Sequence, residues 1–366
     1  MPLSKIQGIE GQVTPNLGRR NLIINGAMKV AQRGTSATVG PNGTGEGYTV
    51  VDRFQNSLSG SVVSTFSQST DAPSGFANSA KIEITTADTS LGGTEFWHLR
   101  YGFEGQDLQS IAKGTSDAKA LTVSFWVKSN KTGTYTVELQ DIDNSRRNSL
   151  AYTIDSSNTW EHKSITYNPD TTGAFDNDNA QSLRINFWFV AGADFKSGTF
   201  YNGTWAAEDN AKRVHSSQVN LGDTVGNEWY ITGVQMELGE QATDFEHRSF
   251  GEELTLCQRY YIRRTTPNQN DYPGSVMGWA STSGTQQFIV QFEQQMRVSP
   301  TFSFSGDFRL QSNSDSAAST GLGAANISTI ACRLPLGSSA YTGDQGAGGV
   351  LQGRTAGGYI AFDSEL

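Results

Sequence analysis

Two stretches of this chain alternate so regularly that they exclude a helix. In Leu121 to Lys128, Leu121, Val123, Phe125 and Val127 fall on one side of an extended backbone, and Thr122, Ser124, Trp126 and Lys128 fall on the other. Leu183 to Val190 repeats the arrangement, with Leu183, Ile185, Phe187 and Phe189 set against Arg184, Asn186 and Trp188. A period of two with one apolar side is the pattern of a strand whose sheet has one face in a core. Tyr135, Val137 and Leu139 follow the same rule, as do Ile165 with Tyr167, Phe288 with Val290 and Phe292, and Phe302 with Phe304. Forty glycines and only 17% charged residues fit short strands joined by tight turns, so the expected class is all-β.

At 366 residues the chain exceeds the usual single core, and about 100 to 200 residues per domain implies two. The joint falls in Trp229 to Tyr261. Tyr230, Thr232, Val234, Met236 and Leu238 read as the apolar face of a strand, and the alternation stops at Gly239. Gly251 then opens an amphipathic run in which Leu254, Cys257 and Tyr261 share helical spacing, as do Leu256 and Tyr260. The expected division is an arm over 1–20, a β domain over 21–250 and a smaller β-sandwich over 251–366. The arm carries Leu3, Ile6, Ile9 and Val13 but is broken by Pro15 and Gly18. Asn21 to Val30 and Tyr48 to Val51 are expected strands, the latter following the glycine-rich loop Gly40 to Gly47.

Several functions lack their residues. A net charge of -9 opposes a surface that tracks phosphates, and Arg146-Arg147 and Arg263-Arg264 are isolated pairs. The Gly40 loop leads into a strand, where a dinucleotide fingerprint needs a helix. No apolar run reaches the roughly 20 residues that span a bilayer, and no secretory signal opens the sequence, so a soluble protein without membrane insertion is expected. Cys257 and Cys332 are expected as buried thiols. Gly-x-Ser-x-Gly, His-Glu-x-x-His and Cys-x-x-Cys are missing, and His98, His162, His215 and His247 are dispersed. In the acidic loop Asp170 to Asn179, an EF-hand opening at Asp176 would need glycine and glutamate where Gln181 and Phe187 stand. No metal or other cofactor is expected.

Ordered blocks along the first two thirds carry a family resemblance. They are Asn21-Leu22-Ile23-Ile24-Asn25-Gly26-Ala27-Met28 with Val30-Ala31-Gln32-Arg33-Gly34-Thr35, Asp52-Arg53-Phe54, Glu104-Gly105-Gln106-Asp107-Leu108 and Leu121 to Lys128. Gly233-Val234-Gln235-Met236-Glu237-Leu238-Gly239 and Glu253 to Tyr261 complete the set. In these blocks the chain resembles a family of tailed-phage virion proteins, tail fibres or tail structural proteins, that look like carbohydrate-binding-module sandwiches. Asp244 departs from the family, which has proline before Phe245-Glu246, and the resemblance fades after Arg264. It implies a jelly-roll-like β-sandwich followed by the smaller sandwich, in a non-catalytic virion protein assembled in the host cytoplasm. It further implies a homotrimer held to other virion proteins by the arm and binding a host cell-surface glycan or receptor, without nucleic acid. A capsid decoration or head fibre shares every feature. A polysaccharide depolymerase would need two carboxyls about 5 to 9.5 Å apart, and Glu104, Asp107, Asp141 and Glu237 are the available acids.

Aromatic residues mark the candidate contacts. Trp126 and Trp188 lie on the polar sides of their strands, either covered by a loop, the arm or another subunit, or stacked on a ligand such as a sugar. Gly198 to Ala207 places Tyr201 and Trp205 around Asn202-Gly203. With Trp279 of the distal half, Trp188, Tyr201 and Trp205 form the expected glycan-binding set.

Overall fold

A computed structural model describes residues 19–41, 44–274, 276–282, 285–311, 321–337, 346 and 348–366. Most of the expected arm, residues 1–18, lies outside the described residues. The first sandwich comprises β1 (Ser36–Val39), β2 (Gly47–Tyr48), β3 (Phe54–Ser59), β4 (Val63–Ser69), β5 (Ser79–Thr86), β6 (Phe96–Glu104) and β7 (Leu121–Ser129). It continues with β8 (Gly133–Asp141), β9 (Arg146–Ile154), β10 (Glu161–Tyr167), β11 (Gln181–Ala191), β12 (Ala206–Ala207) and β13 (Glu228–Leu238). A six-stranded sheet runs β1-β4-β5-β13-β7-β10, and a seven-stranded sheet runs β12-β9-β8-β11-β6-β3-β2. The chain changes sheet at β1–β2, β3–β4, β5–β6, β6–β7, β7–β8, β9–β10, β10–β11 and β12–β13, which is the jelly-roll path.

The alternating faces meet between the sheets. Leu121, Val123, Phe125 and Val127 of β7 share one core with Tyr135, Val137 and Leu139 of β8 and with Leu183, Ile185, Phe187 and Phe189 of β11. Phe125 and Phe187 cross edge to face, ring centroids 5.3 Å apart. Burying each such ring contributes about 1.5–3 kcal/mol, so this pattern sets the register of both sheets.

Three local expectations are corrected. In β13 the register shifts between Thr232 and Gln235, where Gly233 adopts φ 62°. This bulge reverses the parity, so Trp229 and Ile231 face the core before it and Val234 and Met236 after it. Tyr230 and Thr232 therefore lie on the outer face. A Cβ at Gly233 would also come within 2.7 Å of the Phe76 ring. Asn21 to Val30 forms no strand: Asn25 and Met28 take positive φ, and the Asn25 amide donates to Val30 and Asp52 carbonyls while accepting from the Val30 amide. Side-chain hydrogen bonds replace the ladder there. Of Tyr48 to Val51, only Tyr48 pairs, within β2.

Helix α1 (Phe250–Gln258) begins with a capping box, Ser249 and Glu252 each bonding the other's backbone amide. Its Cys257, with Tyr260, packs in the first core, and the second core begins at Ile262. The second sandwich comprises β14 (Tyr261–Thr266), β15 (Met277–Thr282), β16 (Thr285–Gln291), β17 (Thr301–Ser305), β18 (Phe308–Gln311), β19 (Gly321–Leu322), β20 (Ala331–Gly337), β21 (Gly348–Gly353) and β22 (Gly358–Asp363). They form a sheet β14-β22-β17 and a sheet β18-β21-β15-β16-β20-β19. Both cysteine thiols are free, buried in different cores, and burial pushes Cys332 up to about 12. No helix among the described residues is long and apolar enough to cross a membrane.

Candidate ligand-binding face

The outward face of the seven-stranded sheet carries an unusual set of side chains. In β6, Trp97, Leu99, Tyr101 and Phe103 point into the core, which leaves His98, Arg100 and Gly102 outward. Register places Asn186 of β11 between Arg100 of β6 and Glu138 of β8, Arg184 opposite Gly102 and Gln140, and Gln55 of β3 opposite Arg100. Ser149 and Arg147 of β9 lie opposite Glu138 and Gln140 and extend the same face.

At one end this face is a closed charge cluster. The Glu138 carboxylate, fully buried, accepts from Arg147 at 2.7 Å, from Arg213 at 2.9 and 3.0 Å, from Asn186 at 3.0 Å and from the Trp188 indole at 3.1 Å. Burial works to raise its pKa, but Arg213 and Arg147 hold it at about 2. Trp188 has 0% exposure. Phe195 and Val214 pack beside it, the Arg213 guanidinium lies 4.6 Å from its ring centroid, and His98 meets it edge to face. The segment that covers it thus comes from the same chain.

Toward the middle the charges are open. Arg100 and Arg184 are half-buried diagonal neighbours. Arg184 donates from Nε to Gln181, whereas Arg100 has no hydrogen bond or ion pair among the described residues. Burial, then Arg184 and Arg213, lowers Arg100 to about 10; burial also lowers Arg184. Burial, then the surrounding guanidiniums, holds His98 well below its usual value, so it is neutral at pH 7. Four guanidiniums, Arg100, Arg147, Arg184 and Arg213, stand against Glu138, Glu208 at 3.2 Å from Arg147, and the exposed Glu46 at the rim. Arg100 Nε, His98 Nδ1, Asn186 Oδ1, Ser149 Oγ and Arg147 Nε are buried without a hydrogen-bond partner among the described residues. At the other end the Tyr48 hydroxyl donates to the Leu366 carbonyl, and Gly102 leaves room for the Gln181 amide, which a Cβ would meet at 2.0 Å.

The expected aromatic set does not converge. Trp188 is covered, and Tyr201 is buried with its hydroxyl bonded to the Ala207 carbonyl and the Asp209 amide, so neither ring offers a face to a sugar. Trp205 is half-buried and donates to the Asn168 carbonyl. Trp279, 41% exposed, stands in the other sandwich near exposed Met277 and Ile289. Half-buried Trp126 lies 5.2 Å from His162 beside a small hollow of about 250 Å³. A larger hollow of about 660 Å³ lies beside α1, but Arg19 and Arg248 on its wall are already paired with Asp107 and Glu253.

Arg100 and His98 were missed because Phe96 to Glu104 was not read for its outward face. Its alternation, FWHLRYGFE, contains them. The acids considered for hydrolysis are bound elsewhere: Glu104 by Arg259 and Tyr260, Asp107 by Arg19, Asp141 by Lys113, and Glu237 by Thr243 and Gln235.

The sheets and their crossings define a jelly-roll β-sandwich with a smaller β-sandwich after it. No protein-family model matches the sequence, and no curated protein matches it. Among solved structures the chain is similar to the enzymatically active domain of bacteriophage CBA120 tailspike protein 4, with 15% identity over 60% of this chain and 21% of that chain, at a TM-score of 0.32. It is also similar to the C-terminal family 22 carbohydrate-binding module of Clostridium thermocellum Xyn10B, with 10% identity over 61% of this chain and 97% of that chain, at 0.31. TmCBM61, solved with β-1,4-galactotriose, is similar at 8% identity over 60% of this chain and 99% of that chain, at 0.28.

Proposed function

We propose that this chain is a non-catalytic structural protein of a tailed-phage particle, a tail fibre, that binds a host cell-surface glycan on the outward face of β6, β8 and β11. The ordered sequence blocks support the virion assignment. The observation that carries the binding site is half-buried Arg100, whose guanidinium has no hydrogen-bond partner or ion pair among the described residues, with half-buried Arg184 diagonal to it on the same sheet face. A buried donor or acceptor left unmade costs about 1–3 kcal/mol. Sugar hydroxyls and oxyanions accept, so a glycan lying across the face supplies the acceptors that Arg100 lacks. The separate ion pairs of Glu104, Asp107, Asp141 and Glu237 support the non-catalytic reading, since no two of them share a cation or donor.

The homotrimer and the attachment through residues 1–20 remain part of this proposal. Trp188 no longer argues for a subunit interface, because its own chain covers it. Cys257 of α1 and Tyr260 pack in the first core, and the second core begins at Ile262. The test incubates the protein with envelope polysaccharide of the host bacterium. Co-sedimentation without release of reducing ends is expected. Release of reducing ends rejects the non-catalytic assignment, and failure to bind rejects the glycan reading.

A further inference from the structure

We infer that the glycan taken by this face is acidic, and that Arg100 and Arg184 together hold the oxyanion of one of its sugars. The inference rests on the glycan reading above and adds the chemical class of the ligand. Its basis is charge placement. The chain carries a net charge of -9, yet two half-buried guanidiniums sit as diagonal neighbours on adjacent strands, and neither has a carboxylate within ion-pair distance among the described residues. Most half-buried guanidiniums elsewhere have partners: carboxylates for Arg33, Arg146, Arg248, Arg259 and Arg264, and carbonyl or amide oxygens for Arg263, Arg297, Arg309 and Arg333, whereas the Arg100 guanidinium has neither among the described residues.

Glu138, the buried carboxylate on this face, already takes Arg147 and Arg213 and forms no ion pair with Arg100 or Arg184. Glu46 is exposed at the rim, and the neutral His98 adds no charge. Arg100 is less basic because burial and Arg184 disfavour its charged form, and an anion between the two guanidiniums removes both penalties. A guanidinium presents a planar fork that matches carboxylate or phosphate oxygens in pairs. Around that anchor, half-buried Gln55 and Gln140 are placed for neighbouring hydroxyls, in register opposite Arg100 and Arg184. Neutral sugars would leave the guanidinium pair without its counter-charge.

The test compares four polymers against the full chain by affinity electrophoresis: polygalacturonate, its methyl ester, a polyribitol phosphate and a neutral galactan. The expected result is retardation by an acidic polymer at least tenfold stronger than by the ester and the galactan, weakening as salt rises. Preference between polygalacturonate and the phosphate polymer identifies the oxyanion. Arg100→Gln/Arg184→Gln is expected to lose at least tenfold for the acidic polymer with its melting temperature retained. Equal retardation by acid, ester and galactan overturns the acidic class while leaving the glycan reading standing. No retardation by any polymer, with no binding to host polysaccharide, overturns both. Unchanged binding by the double variant overturns the assignment to these arginines, and the acid-to-ester comparison on the unsubstituted chain decides the class whether or not that variant folds.

Discussion

The guanidinium of Arg53 lies 3.4 Å from the centroid of the Tyr260 ring, with Arg53 only 1% exposed. Arg53 also donates to the Gly102 carbonyl at 2.8 Å and pairs with Glu365, which follows the last strand of the second sandwich. The Tyr260 hydroxyl donates to Glu104 at 2.5 Å, and Arg259 closes on the same carboxylate at 2.6 and 2.7 Å. The end of β6, the end of α1 and the segment after β22 thus share one buried network.

Arg53→Met is expected to destabilise the protein by roughly 3 kcal/mol, because it keeps the side chain's bulk but leaves the buried Glu365 carboxylate only its longer contact with Arg33 at 3.4 Å. Thermal denaturation checks this. The pair Arg53→Met/Glu365→Gln is expected to recover part of the loss, and a single variant that melts like the unsubstituted chain would remove Arg53 from the joint.

Glu138 and Asp52 act in opposite directions with pH. Glu138 is held at about 2 against an ordinary 4.5, so its contribution, roughly 3 kcal/mol, is present above pH 4.5 and is lost as pH falls toward 2. Asp52 is raised by burial, opposed by Arg33, to about 6 against 3.8, so its ionised form opposes folding and stability is gained as pH falls from 6 to 3.8. Urea midpoints across pH are expected to drop below 4.5. Asp52→Asn should remove the gain below pH 6, and Glu138→Gln should flatten the fall below 4.5 while lowering stability at neutral pH.

Lys113 occupies a cage of oxygens. Its ammonium donates to the Thr172 and Gly173 carbonyls at 2.7 Å each and pairs with Asp141 at 2.6 Å and Asp170 at 3.1 Å. Those are the ligand types that calcium takes. Lys113→Ala is expected to lose roughly 3 kcal/mol, because it leaves the buried Asp141 carboxylate without its cation while Asp170 keeps Arg146, and to regain melting temperature in millimolar calcium. The unsubstituted protein should show no calcium response.

The sheets were legible because Leu121 to Lys128 and Leu183 to Val190 bury one complete side each, and a one-residue slip would expose all of it. Parity in β13 was not legible: Gly233 inserts a bulge whose position depends on the approach of Phe76 and Trp126 from other elements. Asn21 to Val30 looked like a strand by composition, but the Asn21 and Asn25 amides supply local hydrogen bonds in place of a ladder. Trp188 was legible as outward-facing. Its burial was not, since the cover comes from Phe195 and Val214, which alternation in β11 cannot reveal. The open arginines required the register of β6 against β11, a long-range pairing.

Steric blockage tests the location of the site most directly. Both natural cysteines are buried, so a single Gln55→Cys, at a half-buried position opposite Arg100, can be modified with a bulky maleimide. The same label at Trp279→Cys, on the exposed face of the second sandwich, serves as the comparison. Binding to host envelope polysaccharide should be abolished by the label at Gln55→Cys and unchanged by the label at Trp279→Cys. Retained binding with the first and loss with the second would contradict the assignment of the ligand to the seven-stranded sheet.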